Sequence, residues 1–146
     1  VSMDSAFWIG SMMLAQALAP QGKTELALAA LNDAARFSSG NSKAYSLRGY
    51  ILAKSGHEEE AHEVLRQLED AASKRYVPPF AMALVQAGLG NRDRVFEWLE
   101  KAYAARDVHL IYLPVDAKWD PYRKDPRFEA LLTRARFTTS ATTSAK

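Results

Sequence analysis

The feature that most constrains this chain is a period of 34 residues. Residues 8–41, 42–75 and 76–109 can be laid under one another without an insertion, and six columns then keep their character. The aligned sets are Gly22, Gly56 and Gly90; Ala27, Ala61 and Val95; Leu31, Leu65 and Leu99; Ala34, Leu68 and Ala102; Ala15, Gly49 and Ala83; and Ala19, Ala53 and Ala87. Such a period is typical of a stack of supersecondary units, each of which buries its apolar face against the next.

The aligned columns also predict what each unit is. In every segment the small residue, the leucine and the next apolar residue fall at i, i+4 and i+7, which is one stripe of an α-helix. The glycine precedes this stripe and follows a second helical pattern, so it lies where the chain must reverse and a positive φ costs least. The sequence therefore predicts an all-α fold, with helices at about 5–19, 23–38, 42–54, 58–73, 78–88 and 92–105.

Helix-start signals support these boundaries. Asn91 can cap the sixth helix, and Pro78-Pro79 can begin the fifth, where the missing N–H groups would have no partner within the helix anyway. Beyond the repeats, Asp120-Pro121 and Asp125-Pro126 each place a capping carboxylate before a proline, so each is expected to start a helix. An amphipathic pattern at 128–135 follows, which suits a helix that covers the end of a stack.

A 34-residue helix pair with these columns resembles the tetratricopeptide repeat (TPR). The second repeat matches best, through Tyr45, Gly49, Gly56, Ala61 and Leu65. The resemblance implies a right-handed α-solenoid of three helix-turn-helix repeats that is closed by C-terminal capping helices. We therefore expect one domain at 1–137, with repeats at about 8–41, 42–75 and 76–109, a cap at 110–137 and a flexible tail at 138–146.

A second resemblance concerns the C-terminal part, from Leu89-Gly90 through Trp98 to Asp125-Pro126-Arg127-Phe128. It is similar to the closing TPR region of bacterial multidomain regulators, in which the array follows a winged-helix, nucleotide-cyclase or Ser/Thr kinase domain. This resemblance implies a C-terminal regulatory or sensor domain that acts in cis on an upstream domain. Because the first residue is Val1 and not Met, we expect the chain either to be a piece of a longer protein or to carry foreign residues at its start.

Composition narrows the function classes. The formal net charge of the 146-residue chain is only +2, which argues against a dedicated nucleic-acid binder. The modest basic excess between Lys118 and Arg136 is that of a solvated cap. There is no cysteine, and no apolar run approaches the roughly 20 residues of a membrane span. We therefore expect a cytoplasmic protein that does not bind membranes.

Candidate catalytic and metal-binding residues do not form a constellation. His57 and His62 flank an acidic run but lie at i and i+5, whereas two zinc ligands on one helical face need i and i+4. His109 stands among apolar neighbours with no partner close in sequence, so a structural role is expected. P-loop, dinucleotide-binding and nucleophile-elbow patterns are absent. We expect no enzymatic activity, no catalytic residue, no cofactor and no metal site.

The TPR resemblance also implies a binding surface, because the first helices of successive repeats line a concave groove in that family. The residues at the groove positions are Ile9, Met12, Met13, Gln16, Lys43, Ser46, Leu47, Tyr50, Lys54, Val77, Phe80, Ala81 and Leu84. Family members that bind the C-terminal carboxylate of chaperones carry lysine, asparagine and arginine at five of these positions. Ile9, Met13, Leu47, Val77 and Ala81 stand there instead, so chaperone-tail binding is excluded.

We therefore expect a non-catalytic scaffold, a protein-protein interaction module that binds an amphipathic helix or an extended peptide segment in this groove. Two alternatives stay open. The groove can be filled by the chain's own 107–137 segment or by another domain of the same protein. The open N-terminal end, with Phe7 and Trp8, can also pair with a second copy to form a homodimer.

Overall fold

All regular secondary structure in the described part of the chain is helical. The computed structural model describes residues 13–18, 21–37 and 42–135. Its α-helices are α1 at 13–18, α2 at Thr24–Phe37, α3 at Ser42–Lys54, α4 at Glu58–Ala72, α5 at Pro79–Leu89, α6 at Arg92–Ala104 and α7 at Pro126–Ala135. Two 3-10 helices, Val108–Tyr112 and Ala117–Tyr122, lie between α6 and α7. The all-α prediction is confirmed, and the bounds of α2 to α6 agree with the predicted ones within one residue.

Two predicted segments fall wholly or partly outside these residues. The predicted helix at 5–19 is helical over 13–18, and its remainder lies outside the described residues. The predicted tail at 138–146 lies outside them as well.

The three periodic glycines end a helix in the same way. Gly22, Gly56 and Gly90 have φ values of 78°, 90° and 78°, so all three adopt the left-handed conformation that the sequence predicted. In each case the N–H of the following residue donates to a carbonyl five residues back: Lys23 to Leu18 at 3.2 Å, His57 to Leu52 at 2.8 Å and Asn91 to Gln86 at 3.2 Å. This is the Schellman closure of a helix C-terminus, repeated every 34 residues.

The aligned small and apolar residues form the core. Ala27, Ala61 and Val95 have no exposed surface, and the leucine one turn later in each segment is buried as well. Gly49 lies where α3 crosses two helices, because a Cβ atom there would be 2.8 Å from Cγ2 of Val85 and 3.0 Å from Cγ1 of Val64. The absence of a side chain at Gly49 therefore allows a close crossing of these helices.

Neighbouring helices pack in chain order, and α3 also packs on α5, the next helix but one. The described contacts join α2 to α3, α3 to α4 and α5, α5 to α4 and α6, and α6 to α7. The second 3-10 helix packs on α5 and adds Trp119 and Tyr122 to a buried cluster with Leu99, Phe128 and Leu131. The C-terminal segment is thus part of the core that covers α5 and α6.

Two of the predicted capping roles are wrong. Asn91 precedes α6, but its side-chain amide donates to Oε1 of Gln86 at 2.8 Å and caps no N–H of α6. Asp120 does not start a helix, because the second 3-10 helix begins three residues earlier, where Asp116 accepts a hydrogen bond from the N–H of Lys118 at 3.0 Å. Proline 121 is tolerated because it lies near the end of that short helix. The cap of this short helix is therefore Asp116, and Trp119 within it is fully buried.

The capping role of Asp125 is confirmed. Its Oδ1 accepts from the N–H of Arg127 at 2.9 Å, and Pro126 occupies the first turn of α7.

Candidate functional site

The described groove residues come together on two adjoining clefts. Most of those predicted from the sequence line the first cleft, which has a volume of about 210 Å³: Gln16, Lys43, Ser46, Leu47, Phe80, Ala81 and Leu84. The second cleft, of about 540 Å³, is lined by Tyr50 and Lys54 together with Gln16 and Leu47. Because the clefts share Gln16, Leu47, Asp116 and Lys118, they form one continuous depression, which we call the groove cleft.

Of the other predicted groove residues, Met13 and Val77 are described, and neither lines these clefts. Ile9 and Met12 lie outside the described residues, and the exposed Met13 lines neither cleft. Val77 is also wrongly placed by the sequence prediction, because it is buried in the core cluster between α4 and α5. Val77 lies in the loop two residues before α5 begins, so its side chain is not part of the helix face that lines the cleft.

The wall of the groove cleft opposite α3 and α5 is formed by the segment that contains the two 3-10 helices. His109, Tyr112, Asp116 and Lys118 line it from the segment of the two 3-10 helices. The ring of Phe80 lies between two rings of that segment, 5.7 Å from His109 in a stacked arrangement and 5.3 Å from Trp119. The Nζ of Lys118 donates to Oε1 of Gln16 at 3.1 Å and reaches across to α1.

This segment is held by buried contacts. Trp119 has no exposed surface, and the hydroxyl of Tyr122 donates to the carbonyl of Ala87 at 2.8 Å. The guanidinium of Arg123 donates to the carbonyls of Leu113 and Asp116 at 2.9 and 2.8 Å, which ties the two 3-10 helices together. The segment of the two 3-10 helices therefore forms one wall of the cleft, and residues of α1, α3 and α5 line the rest of it.

His109 has a partner that sequence reasoning missed. Its Nδ1 lies 2.7 Å from Oδ1 of Asp107, whose side chain is almost fully buried. The same carboxylate accepts from the N–H of His109 at 3.0 Å and from the N–H of Phe80, in the first turn of α5, at 3.1 Å. Asp107 thus joins the first 3-10 helix to the start of α5, where negative charge is favourable.

Charged groups in the cleft are arranged in pairs and over rings. Lys118 lies 3.4 Å from the Asp116 carboxylate, and its ammonium is 5.9 Å from the centroid of the Tyr50 ring. Burial, with the negative charge of Asp116 as the next cause, raises the pKa of Tyr50 to about 12. Tyr50 is therefore a neutral wall of the cleft at physiological pH. The Lys43 ammonium lies 5.8 Å from the Tyr112 ring centroid, and Lys54 is exposed at the other end of α3.

In the described ranges, no three histidine, aspartate or glutamate side chains come close enough together to hold a metal ion. The same part of the chain contains no helix with the length and apolar character needed to cross a membrane. The cleft combines an apolar floor with lysines at its edges, an arrangement that can bind a chain segment through side-chain burial and charge.

Sequence reasoning missed the wall opposite α3 and α5, because the segment that supplies it lies outside the 34-residue periodicity. Its local signal was the pair of acidic residues Asp107 and Asp116, each of which directly precedes a 3-10 helix and caps it.

Comparison of the chain with family models, curated proteins and solved structures found no match.

Proposed function

We propose that this chain is a TPR-like α-solenoid that acts as a non-catalytic protein-interaction module and binds an extended peptide segment in the groove cleft. The observation that carries the proposal is the convergence of side chains from α1, α3 and α5 on one depression. The 34-residue recurrence of the left-handed glycines and the packing of α3 on α5 support the solenoid arrangement.

The lining of α3 indicates the chemistry of the peptide. Lys43, Leu47, Tyr50 and Lys54 fall at i, i+4, i+7 and i+11, so they form a line along one face of α3. The two lysine positions are about 16 Å apart along the helix axis at 1.5 Å per residue. An extended peptide covers that distance in about five residues. The best match is a segment with acidic residues about five positions apart and apolar residues between them.

Binding of fluorescent peptides tests the proposal. A peptide with two glutamates five positions apart and leucine or valine between them is titrated with the protein, and fluorescence anisotropy gives Kd. Lys54→Glu is expected to weaken binding by about tenfold, which is about 1.4 kcal/mol, because it places like charges together. The exposed Lys124, at the turn before α7 and outside both clefts, offers the matched control Lys124→Glu.

Equal Kd values for Lys54→Glu and Lys124→Glu would refute the proposal. A peptide in which lysines replace the glutamates should bind the unmodified protein more weakly than the acidic one. Phe80→Ala is unsuitable as a test, because Phe80 packs on His109 and Trp119 and its loss also affects folding.

A further inference from the structure

Four exposed apolar side chains lie within residues 108–115, between α6 and the second 3-10 helix. Val108, Ile111 and Val115 are 73%, 57% and 78% exposed, and Tyr112 beside them is 42% exposed. We call these four residues the outer strip. Leu110 and Leu113, which alternate with them in the chain, are buried in the core. The segment is therefore anchored on one side while it presents branched aliphatic side chains on the other.

The outer strip is separate from the groove cleft. Of its four residues only Tyr112 lines the cleft, where it forms the rim. The other three line neither part of the cleft. A partner on the strip would thus leave the peptide site beside α3 open.

Arg106, two residues before the first residue of the strip, has an unusual backbone conformation. Its φ of 57° makes it the one non-glycine residue of the described chain with a positive φ. It occupies the C-terminal closure of α6, where the N–H of Asp107 donates to the carbonyl of Ala102 at 2.9 Å and glycine is the usual residue. Arg106 is exposed, and no acidic side chain of the described residues pairs with it. A strained residue that glycine could replace at lower cost points to a function of its side chain.

We propose that the outer strip and Arg106 form a docking site for one amphipathic helix of a partner protein, with a carboxylate of that helix on Arg106. The spacing fits this occupant. Val108 and Ile111 are three residues apart in a 3-10 helix, about 6 Å along its axis, which matches neighbouring side chains at i and i+4 on an α-helix. The positive charge beside the apolar strip selects a helix that carries acidic residues at the edge of its apolar face.

The size of the strip argues for a single helix and against a second copy of this chain. Four partly exposed side chains offer a few hundred Å² of apolar surface, in the range of functional patches on monomers. A stable dimer commonly buries about 800 Å² on each partner. The strip covers about half of that area, which a single docked helix can cover.

The test is a titration of the ¹⁵N-labelled protein with a synthetic 14-residue amphipathic helix. The peptide carries leucines at i, i+3, i+4 and i+7 with glutamates at the edges of that face, and a second peptide has lysines in their place. The acidic peptide should cause saturable amide shifts at 106–115 and none at 47–54. Ile111→Ser with Val115→Ser should raise Kd about tenfold, because both side chains are exposed and their loss leaves the core intact.

Two further variants separate docking from effects on folding. Arg106→Gly should raise the Kd of the acidic peptide at least threefold and leave that of the lysine peptide unchanged, while the protein stays folded. Leu26→Ser removes an exposed apolar side chain from α2 and should leave both Kd values unchanged.

Four results would overturn the proposal. These are the absence of saturable shifts at millimolar peptide, shifts confined to 47–54, self-association in light scattering that Ile111→Ser abolishes, and co-sedimentation with phosphatidylcholine–phosphatidylglycerol vesicles that Ile111→Ser abolishes. The third result would assign the strip to a second copy of the chain, and the fourth would assign it to a membrane surface.

Discussion

At the scale of single residues, the backbone conformations of Arg106 and Gly56 predict opposite effects of substitution on the stability of the protein. Both have positive φ, at 57° and 90°, but only Gly56 lacks the Cβ that makes this conformation costly. Arg106→Gly should therefore raise the free energy of unfolding by about 0.5–1 kcal/mol, and Gly56→Ala should lower it by about 1 kcal/mol. Urea unfolding followed by circular dichroism measures both changes. A loss of stability in Arg106→Gly would show that the side chain itself stabilises the fold.

Tyr50 gives a residue-scale prediction about alkaline pH. Because its pKa is raised to about 12, the folded state holds the phenolic proton more tightly than the unfolded state, for which the ordinary value is 10.0. Its contribution to stability is therefore complete below pH 10 and is lost as the pH rises toward 12. Tyr50→Phe should reduce the loss of stability between pH 10 and 12. Tyr76→Phe, which removes an exposed phenol, is the control; equal pH dependence in both variants would contradict the prediction.

At the scale of secondary-structure elements, the crossing of α3 and α5 depends on Gly88. A Cβ atom at this position would lie 2.8 Å from the carbonyl oxygen of Tyr50 and 3.1 Å from its Cα, and backbone atoms cannot move aside as a side chain can. Gly88→Ala should therefore destabilise the protein by about 1–3 kcal/mol, although alanine is the better helix former. Thermal unfolding measures the loss. Gly90→Ala, which has open space but a positive φ of 78°, reports the cost of backbone strain alone.

The cap at the start of α7 predicts how the stability of the protein changes at acid pH. The side chain and the N–H of Arg127 both bind the Asp125 carboxylate and lower its pKa to about 2. Its contribution to stability is therefore present above the ordinary value of 3.8 and is lost as the pH falls toward 2. Asp125→Asn, which keeps a capping oxygen, should flatten the stability profile between pH 4 and 2. Asp70→Asn, at an exposed ion pair with Lys74, is the control in an acid titration followed by circular dichroism.

At the scale of the whole molecule, periodicity explains what could be predicted. The bounds of α2 to α6 followed from the 34-residue period, because the same left-handed glycine and the same buried stripe recur in each segment. The period even continues in α7, since Thr24, Glu58, Arg92 and Pro126 begin helices at intervals of 34 residues. The segment between α6 and α7 broke the pattern. The period would place the first helix of a further unit in this segment, but Pro114 and Pro121 prevent a regular helix there. Trp119 and the other residues of the segment are instead positioned by packing on α5.

The same segment determines how far the groove cleft could be predicted. The wall on α1, α3 and α5 followed from the TPR resemblance, because its residues recur on one face of each first helix. The wall that contains His109 and Lys118 depends on contacts between residues 27 to 102 positions apart. Such contacts leave no periodic trace in a single sequence. The separation of groove cleft and outer strip by Tyr112 could not be predicted for the same reason.

If the C-terminal segment is an integral part of the stack, its removal should affect the whole molecule. A chain that ends at Arg106 loses Leu113, Trp119 and Phe128, all within 1% of full burial, and exposes the faces of α5 and α6 that they cover. Burial of each such side chain contributes about 1.5–3 kcal/mol. The loss of all three therefore removes a large part of the 5–15 kcal/mol that stabilises a typical domain. The truncated chain should therefore show low helical circular dichroism and early aggregation. A chain that ends at Phe137, and so lacks only the predicted tail, should unfold at the midpoint of the full chain. A cooperatively folded chain ending at Arg106 would mean that the helices up to α6 are stable without the C-terminal segment and that this segment only narrows the groove cleft.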